Sequence, residues 1–320
     1  MYKSLCTDGL GVSIPQNELI ELALTFGYKG IEIDMDDMVG RAETISDEFA
    51  VQFVNAAKVD ISTFELPIDF GASDADFDAQ GGKLDKICQL AESIGAKHCY
   101  IRISPTHPSL PYQENFEKHR ARISQIAERL AAIGTKTGLQ FVAGGTAGDD
   151  LRFIHKPDEI IALMKSINND NVGFVLDTWN WQVAGGTFSE LKELDLSKVF
   201  EVRLGDPEDG FNPETIDRMK RSEPGQNSSS LCQKTLDWLV ESNYEGPVAL
   251  TAHVPKQTGN VGDLLFQRIS KVLEQMLDGT HGQDPSEVAA ATEEGAEAAA
   301  EGEKPEDGEA KKAEAEVAAN

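Results

Sequence analysis

The chain has 320 residues, 40% hydrophobic and 26% charged, with 55 acidic against 29 basic side chains and a formal charge of −26. That is enough apolar mass for a substantial core, while a charge of this sign and size repels phosphate backbones and anionic bilayers, so neither nucleic acid nor a membrane is an expected partner. No apolar run is long enough to span a bilayer, and the first nine residues lack the basic and apolar stretches of a signal peptide.

Eight short β-rich runs follow one another along the chain: Tyr2–Cys6, Gly30–Asp34, Asp60–Glu65, His98–Ile103, Leu139–Gly144, Val172–Asp177, Val199–Leu204 and Pro247–Ala252. Most are apolar on successive residues, the pattern of parallel strands covered by helices. Helical spacing fills the intervals. Ser13-Ile14-Pro15-Gln16 reads as a capping box ahead of Leu19, Leu22, Ala23 and Phe26, with Gly27 as the stop. Ile123, Ile126, Ala127, Leu130 and Ile133 make a stripe closed by Gly134, and Leu265, Ile269, Val272, Leu273 and Met276 make the last one. Eight strand-then-helix units predict a (β/α)₈ barrel over residues 1–277. Gly9-Leu10-Gly11 lacks the third glycine of a dinucleotide fingerprint, and no phosphate-binding P-loop is present.

From Asp278 onward the chain is almost wholly Ala, Glu, Gly and Lys, with 13 acids and 3 lysines. Such a segment buries too little surface to offset chain entropy, so 278–320 is expected to be a disordered acidic tail. The four cysteines, Cys6, Cys88, Cys99 and Cys232, have no metal-ligand spacing and read as reduced thiols of a cytoplasmic protein.

A barrel places its chemistry at the C-terminal strand ends. Those ends offer Asp8, Glu32, Asp34, Glu65, Arg102 and His107 in the first half of the chain. The second half offers Asp177, Trp179, Asn180, Trp181, Arg203, Asp206, Thr251, His253 and Lys256, whereas the fifth strand ends in Ala143-Gly144-Gly145 without a charge. Asp177 closes an apolar strand, where a carboxylate is costly unless a charge or hydrogen bond meets it. Arg203 reads either as a substrate-anion clamp or as the partner of Asp177. His253 is a general-base candidate or a structural histidine, and Glu32 is a third acid/base candidate. Arg102 either assists an anionic group or pairs with Glu65 or Glu32. Trp179 and Trp181 either stack on sugar faces or pack in the core. The long loop after the seventh strand, with Pro207, Gly210, Pro213, Pro224, Gly225 and a serine run, is suited to be a lid.

Four segments carry a resemblance: Gly27-Tyr28-Lys29-Gly30-Ile31-Glu32-Ile33, Val175-Leu176-Asp177-Thr178-Trp179-Asn180, Val202-Arg203-Leu204-Gly205-Asp206 and Tyr244-Glu245-Gly246-Pro247-Val248-Ala249-Leu250-Thr251. In this order, each on its own strand, they resemble the xylose isomerase-like barrel family of sugar and sugar-phosphate isomerases and epimerases. The resemblance implies a small-molecule sugar or sugar-phosphate partner and a possible pairing of two barrels. In that family Glu, Asp, His and Glu from strands five to eight hold a divalent cation, and the glutamates shuttle a proton through an enediolate. Matched to this chain, those positions are Gly144, Asp177, Arg203 and Thr251, so only the aspartate remains. The expectation is therefore no metal and no other cofactor, with Arg203 replacing the ion electrostatically beside Asp177. Catalytic roles would fall to Asp177, Glu32 and His253. Substrate contacts would fall to Arg203, Arg102, Trp179, Asn180, Asp206 and Thr251. A barrel that binds sugars without catalysis is the competing expectation.

Overall fold

The computed structural model describes residues 1–278 apart from 146–147, 226 and 253–260. Its compact unit spans Met1–Leu277. Eight parallel strands form the barrel: β1 (Tyr2–Leu5), β2 (Gly30–Ile33), β3 (Asp60–Phe64), β4 (His98–Ile103), β5 (Lys136–Phe141), β6 (Val172–Asp177), β7 (Val199–Leu204) and β8 (Pro247–Leu250). Each pairs with its sequence neighbours, and β8 returns to β1 through Tyr2↔Pro247 and Lys3↔Val248. Between β3 and β4 the ring closes by a single parallel bridge, Glu65↔Tyr100, supported by the Leu66 amide donating to the Tyr100 carbonyl at 2.8 Å. The tail expected at 278–320 lies, from residue 279, outside the described residues, as does His253.

The predicted helical stripes face the core. Helix Tyr112–Ala132 buries Ile123, Ile126, Ala127 and Leu130, and Gly134 ends it at φ +77°. Helix Val261–Leu277 buries Leu265, Ile269, Leu273 and Met276. The expected capping box does not form: helix Gln16–Thr25 starts after Pro15 with no side chain bonded to its first amides. The Gln16 side chain instead accepts from the Asp34 amide at 2.9 Å, tying the first helix to the end of β2.

Strand five differs from its expected position. It runs Lys136–Phe141, three residues earlier than Leu139–Gly144. Thr137 and Gly138 look like loop residues by composition, yet a Cβ on Gly138 would lie 2.9 Å from a Val175 methyl, so close strand approach selects the glycine. This shift changes which strand-five side chain reaches the site.

Candidate active site at the barrel mouth

The upper layer of the barrel interior is ionic. Arg203 and Glu201 point inward from β7, Glu32 from β2 and Tyr100 from β4; Arg203, Glu201 and Tyr100 are fully buried. Burying such charges is costly unless each is paired, and here the pairing is dense. Arg203 donates to Asp8 Oδ2 at 3.1 Å, Glu32 Oε2 at 3.0 Å and Glu201 Oε2 at 3.1 Å. Its guanidinium lies 4.4 Å from the Tyr100 ring centroid. Arg203 therefore does not meet Asp177, contrary to expectation. Although neighbouring in the ladder, Asp177↔Arg203, the two side chains take different partners, because Asp8 and Glu32 across the barrel capture the guanidinium.

The cation beside Asp177 is Arg221, which comes from the long loop after β7 that was expected to be a lid. Its Nη1 donates to Asp177 Oδ1 and its Nη2 to Oδ2, both at 3.0 Å, the bidentate geometry that suits a planar fork. Arg221 Nη1 also donates to Thr251 Oγ1 at 3.1 Å, and the guanidinium lies 4.7 Å from the Trp179 ring centroid. A two-stranded ribbon fixes this reach, with Asp206 opposite Ser222 and Pro207 opposite Arg221. Gly9 makes the space: a Cβ there would stand 2.7 Å from Arg221 Cδ, and its φ of +77° suits glycine.

Asp177 is saturated from the protein side as well. It caps helix Thr178–Val183 by accepting from the Trp179 and Asn180 amides at 3.0 and 3.2 Å, and Gln140 Nε2 donates to it at 3.3 Å. The strand-five side chain at the site is thus Gln140, not a residue at Gly144. A Cβ on Gly144 would instead meet the lid's Ile216 at 2.8 Å.

Asp8 is the hub of the other half of the mouth. It accepts from Arg102 at 3.0 Å, Arg203 at 3.1 Å and Arg218 at 2.6 Å. Burial alone would raise its carboxyl, but the guanidinium groups of Arg102, Arg203, Arg221 and Arg218 outweigh it and hold the group well below the usual carboxylate range. Arg102 also reaches Glu65 at 3.0 Å, which settles its pairing in favour of Asp8 and Glu65. Burial is the chief influence on Glu201 and pushes its carboxyl up to about 7, against the opposing pull of Arg203.

Two cavities open here. One, of about 540 Å³, lies over β1 to β4 and is lined by Asp8, Glu32, Asp34, Glu65, Tyr100 and Arg102 among others. A second, of about 460 Å³, lies between Glu65, Arg102, Gly144 and the lid's Ile216 and Arg218. Neither indole lines them. Trp179 and Trp181 are fully buried, donating to the Lys220 and Thr187 carbonyls. Asn180 accepts from the Ala143 amide at 3.0 Å, and Asp206 accepts from Gln182, Cys232 and the Gly225 amide, so both brace loops. Cys6, Glu32 and Glu201 each bring one ligand-type atom within 4.8 Å of the others, but Arg203 Nη2 already bonds both carboxylates there.

Arg221, Arg218, Tyr100, Gln140 and Glu201 were not expected at the site. The two lid arginines belong to no motif; Gln140 was hidden by the misplaced strand; Glu201 shares the inward pleat of Arg203, a period-two signal available in the sequence.

The model of the xylose isomerase-like TIM barrel family matches residues 20–268. Curated relatives include an inosose isomerase of Bacillus subtilis, 30% identical over 168 residues (52% of this chain, 58% of that protein), and one of Halalkalibacterium halodurans, 26% identical over 134 residues (42% and 45%). The chain thus spans about half the length of the curated relatives it matches. Among solved structures, a xylose isomerase domain protein from Alicyclobacillus acidocaldarius superimposes with a TM-score of 0.75 at 22% identity, covering 87% of this chain and 98% of that one. The IOLI protein with a bound zinc atom gives 0.74 at 18% identity, covering 88% and 100%. At these identities the two structures speak for the fold.

Proposed function

This chain belongs to the xylose isomerase-like TIM barrel family, and we propose that it takes a sugar or sugar phosphate and moves a proton between or at its carbons without a metal ion at β6. The single observation carrying the reading is the Arg221 fork on Asp177. Both carboxylate oxygens face guanidinium N–H groups at 3.0 Å, Asp177 also accepts from the Gln140 amide and caps its helix, and the Thr251 hydroxyl accepts from the same Arg221. One aspartate with an amide and a hydroxyl is a poor donor set for a divalent ion, and a fixed positive charge beside it is worse. The residues do not fit the family's cation.

Substrate space is then the cavity over β1 to β4, where Glu32 and Glu65 supply carboxylates and Arg102 a guanidinium. A proton taken from the carbon next to a carbonyl leaves negative charge on oxygen, which a preorganised guanidinium stabilises. Asp177 serves in this reading as the anchor of the lid. His253 lies outside the described residues and keeps its proposed role only by position. The relatives named inosose isomerase favour a cyclic polyhydroxyketone as the first substrate to try.

One observation favours a second reading, a barrel that binds sugars without turning them over: Asp8, Glu32 and Asp177 are each already engaged by arginine. Solvent-deuterium incorporation into a panel of ketoses, inososes and their phosphates, with EDTA and with Mn²⁺, separates the two. Metal-independent incorporation supports the enzyme. Thermal stabilisation by a sugar without incorporation supports the binding protein, and incorporation that requires Mn²⁺ removes the metal-free proposal.

A further inference from the structure

We infer that Glu65, Tyr100 and Glu32 form a proton relay, in which Glu65 is the acid/base group touching the substrate and the less exposed Glu32 holds the proton between steps. The inference rests on the proposed proton-transfer function and moves its chemistry from the β5–β8 half of the mouth to the β2–β4 half.

The geometry begins with a counting problem. Tyr100 Oη lies 2.8 Å from Glu32 Oε1 and 3.1 Å from Glu65 Oε2, and it accepts from Arg102 Nη2 at 2.9 Å. A phenol has one hydrogen, so it donates to one carboxylate only. The other contact becomes a hydrogen bond once Glu65 has taken a proton from the substrate and donates it to Tyr100. In that state three oxygens in a row share two hydrogens, and exchanging both bonds moves a proton from Glu65 to Glu32 without moving a heavy atom.

The charges around the row favour taking up a proton from the substrate. Four carboxyl groups, Asp8, Glu32, Glu65 and Glu201, face three guanidinium groups, those of Arg102, Arg203 and Arg218. The one surplus negative charge of this cluster is offset when a proton enters the row from the substrate. Glu32 also accepts from the Cys6 thiol at 2.7 Å, and burial, Glu32 and Glu65 all push the Tyr100 hydroxyl well above its ordinary range, so the phenol passes a proton rather than losing one.

Accessibility sets the direction. The Glu65 side chain is 44% exposed and lines both mouth cavities with Arg102, whereas the Glu32 side chain is 14% exposed. Glu65 takes the proton from the carbon beside the substrate carbonyl; the C–H pair becomes the enediolate double bond, and the carbonyl pair moves onto oxygen near Arg102. The new Glu65 O–H passes its proton to Tyr100 Oη as the Tyr100 proton passes to Glu32 Oε1. Reversal returns it through Glu65 to the adjacent carbon on the same face. No oxidant or reductant is involved.

The experiment has an arm that needs no substrate. In full-length protein carrying ¹³C at the tyrosine ζ carbon, the Tyr100 resonance should shift with pH in step with both carboxyl groups. Glu65→Gln and Glu32→Gln should each remove part of that response. A Tyr100 resonance that follows neither carboxyl, or only one, overturns the relay. In the second arm, on any ketose the wild type converts, Glu65→Gln should slow conversion by about a hundredfold or more. Tyr100→Phe, which keeps the ring under Arg203, should trap the proton on exposed Glu65 and raise the ratio of solvent-deuterium incorporation to conversion several-fold. An unchanged ratio, or full activity in Glu65→Gln with loss in Asp177→Asn, overturns the relay and leaves the proposed function standing. If the wild type converts no ketose, the proposed function fails, and the ¹³C titration alone decides whether the relay exists.

Discussion

Arg221 lies fork-to-fork against Asp177, Nη1 to Oδ1 and Nη2 to Oδ2, with both side chains almost wholly out of water. The aspartate is fixed by the barrel and the arginine by the loop after β7, so this contact ties that loop to the frame. Withdrawing the loop would leave a buried carboxylate without its partner, which is unfavourable.

Removing either partner alone should therefore cost far more than removing both. Arg221→Leu is expected to destabilise the protein by about 3 kcal/mol, and the double variant Arg221→Leu/Asp177→Leu by distinctly less than the sum of the singles. Urea unfolding of the four proteins in the cycle measures the coupling. Additive losses would show that the pair is no more than two adjacent side chains.

If Arg221 stands in for a cation, deleting it and restoring a carboxylate should admit one. The variant Arg221→Ala/Gln140→Glu places a second carboxyl beside Asp177 and removes the fixed charge. Mn²⁺ is expected to raise its melting temperature in a concentration-dependent way while leaving the wild type unmoved, as ligand linkage requires. An identical response of both proteins to Mn²⁺ would contradict the substitution of guanidinium for ion.

The barrel was legible because its signals are local: apolar runs at strand spacing, helical stripes, and glycine stops at Gly27 and Gly134. Asp177, Glu32, Arg102 and Arg203 were legible as strand-end charges in an apolar setting. Their partners were not. Which guanidinium meets which carboxylate depends on cross-barrel distances, so Arg203 was matched to its ladder neighbour Asp177 although Asp8 and Glu32 hold it. Arg221 sits in a loop without periodicity, 44 residues from Asp177, and only the Asp206–Ser222 ribbon brings it back. Gln140 was lost because Gly138 weakened the strand signal just where close packing demands a glycine.

Thiol chemistry offers a check on the packing. Cys6, Cys99 and Cys232 are buried, and burial raises each thiol above its ordinary range; Cys88 is half-buried with a smaller rise from the same cause. A maleimide at neutral pH should label native protein at Cys88 alone, and all four positions after unfolding. Peptide mapping reads the result, and rapid native labelling of Cys6 would mean that the ionic layer above it opens readily.

Glu201 gives the sharpest pH signature. Its carboxyl is fully buried, with Oε1 unpartnered among the described residues, and burial raises it from 4.5 to about 7 in the folded chain. Between these values the folded state binds more protons than the unfolded one, so this group's stabilising contribution is complete below pH 4.5 and is lost as pH rises through 7. Glu201→Gln keeps an acceptor for Arg203 and removes the titration. Relative to wild type, the variant should gain stability from pH 5 to pH 8 by about 1–3 kcal/mol. His119, whose imidazole burial lowers to about 4, works in the opposite sense and loses stability as pH falls, but it is common to both proteins and cancels in the difference. Asp8, held low by its arginines, titrates outside this range. Denaturation curves of the two proteins at matched pH give the difference directly. Curves that stay parallel across the range would place Glu201 as an ordinary ionised carboxylate.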